Sequence, residues 1–191
     1  MSALPVRVRP CRVTAVVCAA FDEPTDTAVL AVREVVHAAG VELPPQPRHR
    51  PHVSLAAARV EAGSELERLV DVMSDVTGVH EPFELVLDEV GSFERGGVLW
   101  LGPPASSQLA ALQQAVTSAL VEAGWPAAFG QRSDPAVWIP HCTLATRLSR
   151  PRLRAVQAHV RAGYRPIRGS VDALATILVG GNGDTAHLRL G

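Results

Sequence analysis

Aromatic side chains are scarce in this 191-residue chain: four phenylalanines, three tryptophans and one tyrosine, 4% of the total. Its core must be packed mainly from valine, leucine and alanine, and it carries no long aromatic-and-basic track on which an extended RNA strand would stack. An excess of either charge is missing too. Eighteen basic residues face 19 acidic ones, for a net charge of -1. That balance argues against wholesale electrostatic capture of a long duplex and leaves room for a local basic cleft. Cysteine is limited to Cys11, Cys18 and Cys142, an odd set without the close pairing of a zinc knuckle or a redox motif. A reduced, cytoplasmic setting is the expectation. No apolar run approaches the length of a membrane span. Residues 13–21 suit a buried strand better than a signal peptide, because Asp22 and Glu23 end the run without a small-residue cleavage pattern.

What is present is the composition of an ordinary globular protein, 47% hydrophobic, long enough for one domain spanning 1–191 with a core over about 13–179. After the first strand, Val29, Val32 and Val36 mark one face of a helix over 26–39, stopped by Gly40. The prolines of residues 44–51 delete donors and restrict their neighbours, giving a stiff basic loop that delivers the chain into a strand at 52–58. Ser64 and Glu67 suggest a capping box for a helix to about 76. Phe83, Leu85 and Leu87 alternate with Glu84, Val86 and Asp88, and 97–101 reads as the returning strand of a hairpin turning near 95–97. Leu109, Leu112, Val116 and Leu120 mark a helix ending before Gly124. An irregular stretch at 125–140 then leads into a strand at 141–148. Pro151 suits the first turn of a short helix to about 162, and strands at 171–179 and 186–190 close the chain around a turn at 180–183. Most of the chain divides into two comparable halves, each with a strand, a helix and a further strand entered through proline. The expected architecture is α+β and bilobal: two mainly antiparallel sheets with outer helices around a central cleft.

Those proline-led strands carry the same phrase. Pro51-His52-Val53-Ser54-Leu55-Ala56 and Pro140-His141-Cys142-Thr143-Leu144-Ala145 share Pro-His-x-Ser/Thr-Leu-Ala in a protein with only seven histidines. On a strand, residues two apart project from one face, so each copy pairs an imidazole with a hydroxyl. Two histidines near neutrality divide the labour of acid–base catalysis: a neutral ring takes a proton from the attacking oxygen, and a charged ring gives one to the departing oxygen. Ser54 and Thr143 are suited to donate to non-bridging phosphate oxygens, each contact being worth roughly 2–4 kcal/mol by analogy with an oxyanion donor. A single His-x-Ser on a strand is most often structural, but the matched copies favour the catalytic reading. Metal binding is the competing use. His37 falls in the first helix, His80 in a loop and His187 near the terminus, and the phrases hold no carboxylate, so no third ligand is placed and neither metal nor cofactor is expected.

The two phrases, their separation and their strand context resemble the two-histidine phosphoesterase superfamily, nearest its bacterial branch of 2'-5' RNA ligase and RNA 2',3'-cyclic phosphodiesterase proteins. The likeness covers most of residues 13–179 and extends to Val98-Leu99-Trp100-Leu101-Gly102 and Trp138-Ile139-Pro140. It implies a bilobal fold with one His-x-Ser/Thr motif per lobe and metal-independent hydrolysis of a terminal 2',3'-cyclic phosphate, or reversible 2'-5' joining of RNA ends. His141 is assigned as base and His52 as acid. Ligase-like members commonly follow the second motif with Leu-x-Arg, whereas here Arg147 stands one place late. By strand alternation it would share the face of His141 and Thr143 and reach phosphate; a solvated strand-end arginine is the alternative. Ser54 replaces the more usual threonine and makes the same bond from a looser rotamer.

Substrate recognition has several candidates. Arg48, His49 and Arg50 precede the first motif, as a positive rim or as solubilising residues of a proline loop. Phe129, Arg132 and Trp138 approach the second, where an aromatic stacks on a base and an arginine pairs with phosphate; Trp138 is equally suited to fill the core behind the sheet. Phe93 and Arg95 at the hairpin turn form another possible rim. The expected partner is a short RNA end or a small cyclic-phosphate nucleotide, with no membrane and a monomeric protein. A small cyclic-phosphate metabolite as substrate and a non-catalytic nucleotide-binding module are the alternatives.

Overall fold

The computed structural model describes residues 11–44, 47–125, 128 and 137–191. β1 (Arg12–Phe21) runs through the centre of the larger sheet and is buried on both faces from Ala15 onward. Asp22 ends it and opens α1 (Glu23–Ala38): its carboxylate accepts from the Thr25 amide at 3.1 Å and from the Thr25 hydroxyl, and Pro24 sits in the first turn. The helix therefore begins earlier than residue 26, because the cap and the proline, more than the valine spacing, set its start.

β2 (His52–Glu61) pairs antiparallel with β1, and α2 (Ser64–Thr77) follows. The expected capping box is not formed. Gly63, with φ 96°, is the cap; Ser64 lies inside the helix, and Glu65 reaches back to the Glu61 amide at 2.6 Å. β3 (Phe83–Leu87) then pairs with β7 (Ile167–Leu178), and β8 (Asp184–Arg189) continues along the same edge of β7. The larger sheet thus runs β2-β1-β7-β3, with β8 on β7. The chain leaves it at Asp88 and enters a second sheet, β4 (Glu89–Phe93), β5 (Val98–Gly102) and β6 (Cys142–Ala145), in that order. So β4 and not β3 is the hairpin partner of β5, since β3 spends its edge on β7. Both sheets are antiparallel throughout. α3 (Ser107–Glu122), capped by Ser106, and α4 (Arg150–Gly163) complete the fold.

The helices cross between lobes. α1 leaves β1 and packs on both β7 and β6, while α3 leaves β5 and packs on β2. Each motif strand is therefore backed by the helix that started in the other lobe. On its core face the larger sheet presents Val17, Ala19, Phe21, Val53, Leu55 and Leu174, in one continuous core with Leu69 and Met73 of α2 and Leu109, Leu112 and Val116 of α3. The opposite face is built mainly from small residues, Val16, Cys18, Ala20, Ala57, Ala173 and Ala175, with Ile177 beside them.

Candidate active site

β1 and β2 fix where the first motif points. His52 lies directly opposite Ala20 and Ser54 opposite Cys18, and opposed residues of an antiparallel pair share a face. The imidazole and the hydroxyl therefore stand together on the small-residue face, as the spacing of two predicted. One residue later the register slips: Ala56 opposes Val17, so Leu55 is an extra residue on β2. The second motif repeats the device. Thr143 opposes Trp100, Ala145 opposes Leu99, and Leu144 is the extra residue on β6. A bulge bends its strand and re-aims the neighbouring side chains. In both motifs it is the shared leucine that bulges, with its side chain buried.

A bulge also frees a carbonyl from the ladder, which must find another donor. A helix side chain supplies it in each lobe. Gln113 of α3 donates to the Leu55 carbonyl at 3.4 Å, and Arg33 of α1 donates to the Leu144 carbonyl at 2.8 Å.

The two rings are held alike. His52 Nδ1 lies 2.7 Å from the Arg50 carbonyl, and His141 Nδ1 lies 2.8 Å from the Ile139 carbonyl, each acceptor two residues upstream. A carbonyl only accepts, so Nδ1 carries the proton in both rings. Nε2 is left as the lone-pair nitrogen of a neutral ring or the donor of a charged one. Burial pushes His52 below the ordinary histidine value. His49 and His141 add to that, while the Arg50 carbonyl and Asp184 oppose it. Burial lowers His141 as well, against the Ile139 carbonyl. His141 is the smallest of these influences on His52.

Their surroundings differ. Phe93 meets the His141 ring edge-on with centroids 4.9 Å apart, and the Trp100 centroid is 6.2 Å from it. His141 lines a cavity of about 430 Å³ with Phe93, Arg95, Val98 and Trp138. His52 lines a different one of about 300 Å³, between α1, the proline loop and β6, with Arg33, Arg48, His49, Thr143 and Thr146. The loop is tied to the β7–β8 turn, where the Gly183 amide donates to the Arg48 carbonyl at 2.7 Å and His49 Nδ1 lies 3.0 Å from the Gly183 carbonyl.

The other sequence candidates are distributed unevenly. Arg50 touches the His52 cavity, but its guanidinium is committed: to Asp26 Oδ2 at 2.7 Å, the Phe21 carbonyl at 3.1 Å and His187 Nε2 at 3.0 Å. Trp138 packs on the core and also lines the His141 cavity, while its indole N–H donates to the Ser54 carbonyl at 3.1 Å. That bond ties the approach to the second motif to the strand of the first. Arg147 does not follow the alternation argument. β6 ends at Ala145, and Arg147 takes a left-handed φ of 62° with its amide bonded to Gly96; it is exposed and lines neither cavity. Phe129 and Arg132 lie outside the described residues. Arg33 was missed. Its signal was a charge at helical spacing from Val29 and Val36 on the apolar face of α1. Cys18 and Cys142 are buried beneath the motifs, Cys18 within 4.0 Å of the Ser54 hydroxyl. Burial raises both thiols, Cys142 to about 12 against a bond from the His52 amide. Among the described residues no three His, Cys, Asp or Glu side chains gather as metal ligands do, and no helix is long and apolar enough to cross a membrane.

The family model described as the 2'-5' RNA ligase superfamily matches residues 21–183. Solved structures share the fold at low identity. A crystal structure of LigT from E. coli complexed with 3'-AMP aligns at TM-score 0.59 and 19% identity, covering 94% of this chain and 98% of that one. TT0787 of Thermus thermophilus aligns at TM-score 0.61 and 16% identity, over 93% of this chain and 97% of that one. A protein described only as a phosphoesterase aligns at TM-score 0.56 and 20% identity, over 95% and 99%. No curated protein matches the chain.

Proposed function

The chain belongs to the 2'-5' RNA ligase superfamily, and on that premise we propose that it is a metal-independent cyclic phosphodiesterase acting on 2',3'-cyclic phosphate at RNA or nucleotide ends. The observation that carries this reading is the matched pair of imidazoles, each with Nδ1 bound to a carbonyl two residues upstream and each next to a hydroxyl one residue before a bulge. Backbone carbonyls fix the tautomer, so Nε2 is the nitrogen presented for proton transfer in both rings. In hydrolysis, His141 Nε2 takes a proton from water as the oxygen attacks phosphorus. The bond from phosphorus to the 3'-oxygen breaks, and His52 Nε2, charged at the outset, protonates that oxygen to leave a 2'-phosphate. Ser54 and Thr143 donate to the non-bridging oxygens as charge builds on them. Joining of 2'-5' ends is the same chemistry run backwards, with a ribose hydroxyl in place of water. The E. coli LigT complex with 3'-AMP supports a nucleotide as the ligand class, and Phe93 and Trp138 beside His141 are suited to pack against a base.

Product analysis on a short RNA ending in 2',3'-cyclic phosphate, with EDTA present, tests this. A 2'-phosphate product is expected from the wild type and its loss from both His52→Ala and His141→Ala. Full activity in either variant, or dependence on added metal, overturns the mechanism.

A further inference from the structure

Arg33 and Gln113 perform one structural task in opposite lobes. Each comes from the crossing helix and caps the carbonyl released by the motif bulge. Gln113 shows that a neutral amide suffices, and it is fully buried while doing so. The charge at Arg33 is surplus to that task. Its guanidinium is half-buried, pairs with no carboxylate among the described residues, and lines the cavity that His52 and Thr143 share.

The rest of that cavity points the same way. Arg48 lines it, also without a carboxylate partner among the described residues, and no Asp or Glu is among the described lining side chains. Val29, Leu43, Pro44 and Pro47 form an apolar wall, whose low polarizability strengthens attraction to a bound charge. Arg50, the cation one would first choose there, is already neutralised by Asp26. Burial lowers the Arg33 pKa, and Cys142 and Glu34 offset this only in part; an entering anion relieves the remaining cost. The chain has no lysine, so each of its cations is an arginine fork suited to phosphate oxygens.

We propose that the cavity formed by Arg33, Arg48 and His49 beside His52 is a second-phosphate subsite that binds the 5'-phosphate of the nucleotide whose 2',3' end reacts. This rests on the proposed phosphodiesterase reading and deepens it. The second anion nearest a terminal cyclic phosphate is the 5'-phosphate on the same ribose, so the subsite selects RNA ends and 5'-phosphorylated nucleotides over nucleosides carrying only the cyclic group. The nucleobase then falls towards Phe93 and Trp138 on the His141 side.

The test compares binding of adenosine 3'-monophosphate and adenosine 3',5'-bisphosphate by calorimetry, alongside hydrolysis of adenosine 2',3'-cyclic phosphate with and without a 5'-phosphate. The wild type is expected to prefer the bisphosphate by about tenfold, or about 1.4 kcal/mol. Arg33→Gln, which copies the amide of Gln113, and Arg48→Ala are each expected to bring the ratio towards one. Arg59→Gln, an exposed arginine at the far end of β2, controls for net charge and keeps the wild-type ratio. Equal affinities in the wild type, or an unchanged ratio in a folded Arg33→Gln protein, overturn the proposal. Selective binding with neither cyclic substrate hydrolysed supports the subsite and sinks the phosphodiesterase. Hydrolysis of both at equal kcat/KM, with equal binding, does the reverse.

Discussion

Gly91→Ala is the most informative single methyl that can be added to this protein. Gly91 of β4 lies opposite Trp100 of β5, and the indole folds flat over it. A Cβ at 91 would overlap the six-membered part of the ring. The ring has nowhere to go: it is almost fully buried, Phe93 packs 5.3 Å away, and a Cβ on Gly102 at its other edge would meet it at 2.6 Å. Overpacking of this kind costs about 1–3 kcal/mol, which for a domain of this size lowers Tm by about 2–12 °C. The same ring and Phe93 form the wall behind His141. A shift of about 1 Å in a catalytic group is worth up to about 100-fold in rate, so kcat on a cyclic-phosphate substrate should fall by one to two orders of magnitude. Adding Trp100→Leu removes the clash, and the double variant should be less destabilised than the two single effects summed. Differential scanning calorimetry and steady-state kinetics on the four proteins of this cycle are the assay. If Gly91→Ala melts within about 1 °C of the wild type, as a neutral surface change does, and turns over normally, the packing argument is wrong.

Three further predictions concern protons and thiols. Both motif histidines sit below the ordinary histidine value of 6.5, and in the proposed mechanism kcat/KM reports the free enzyme. The alkaline limb, where the acid loses its proton, should therefore inflect below pH 6.5, with apparent values belonging to the pair; an inflection above about pH 7.5 refutes the assignment. The same depression has a stability sign. Folding favours the neutral rings, so this stability is present above pH 6.5 and is lost as pH falls through the folded values. His52→Gln should flatten the acid-side fall in Tm. In a thiol titration of the native protein, exposed Cys11 should react while Cys18 and Cys142, buried with raised pKa, stay silent until denaturant is added. Rapid reaction of all three would contradict their burial.

Much of the fold was legible because periodicity is local. The Val29-Val36 spacing, the Phe83-Leu87 alternation and the proline and glycine stops each report on their own segment. Pairing was not legible. β3 and β4 are both short and half-buried, and which one pairs with β5 depends on β7, some 80 residues later, offering an edge to β3. The short β6 and the displaced Arg147 share a cause: the strand ends once its edge with Leu99 is used, and the Gly96 carbonyl captures the Arg147 amide. Ser64 failed as a cap because Gly63 supplies a positive φ that a serine seldom adopts.

The sequence by itself determined the chemistry on offer. The repeated phrase names two imidazoles and two hydroxyls, and the period of a strand puts each pair on one face, whatever the rest of the chain does. Tertiary structure decided what that chemistry is pointed at. The bulge at each leucine, the carbonyl holding each Nδ1, and the crossing helix capping each freed carbonyl are contacts between residues from two to more than a hundred positions apart. None of them leaves a period in the sequence. Arg33 belongs to this second class: on its helix it reads as a misplaced charge, and only the packing of α1 on β6 turns it into a cation beside His52.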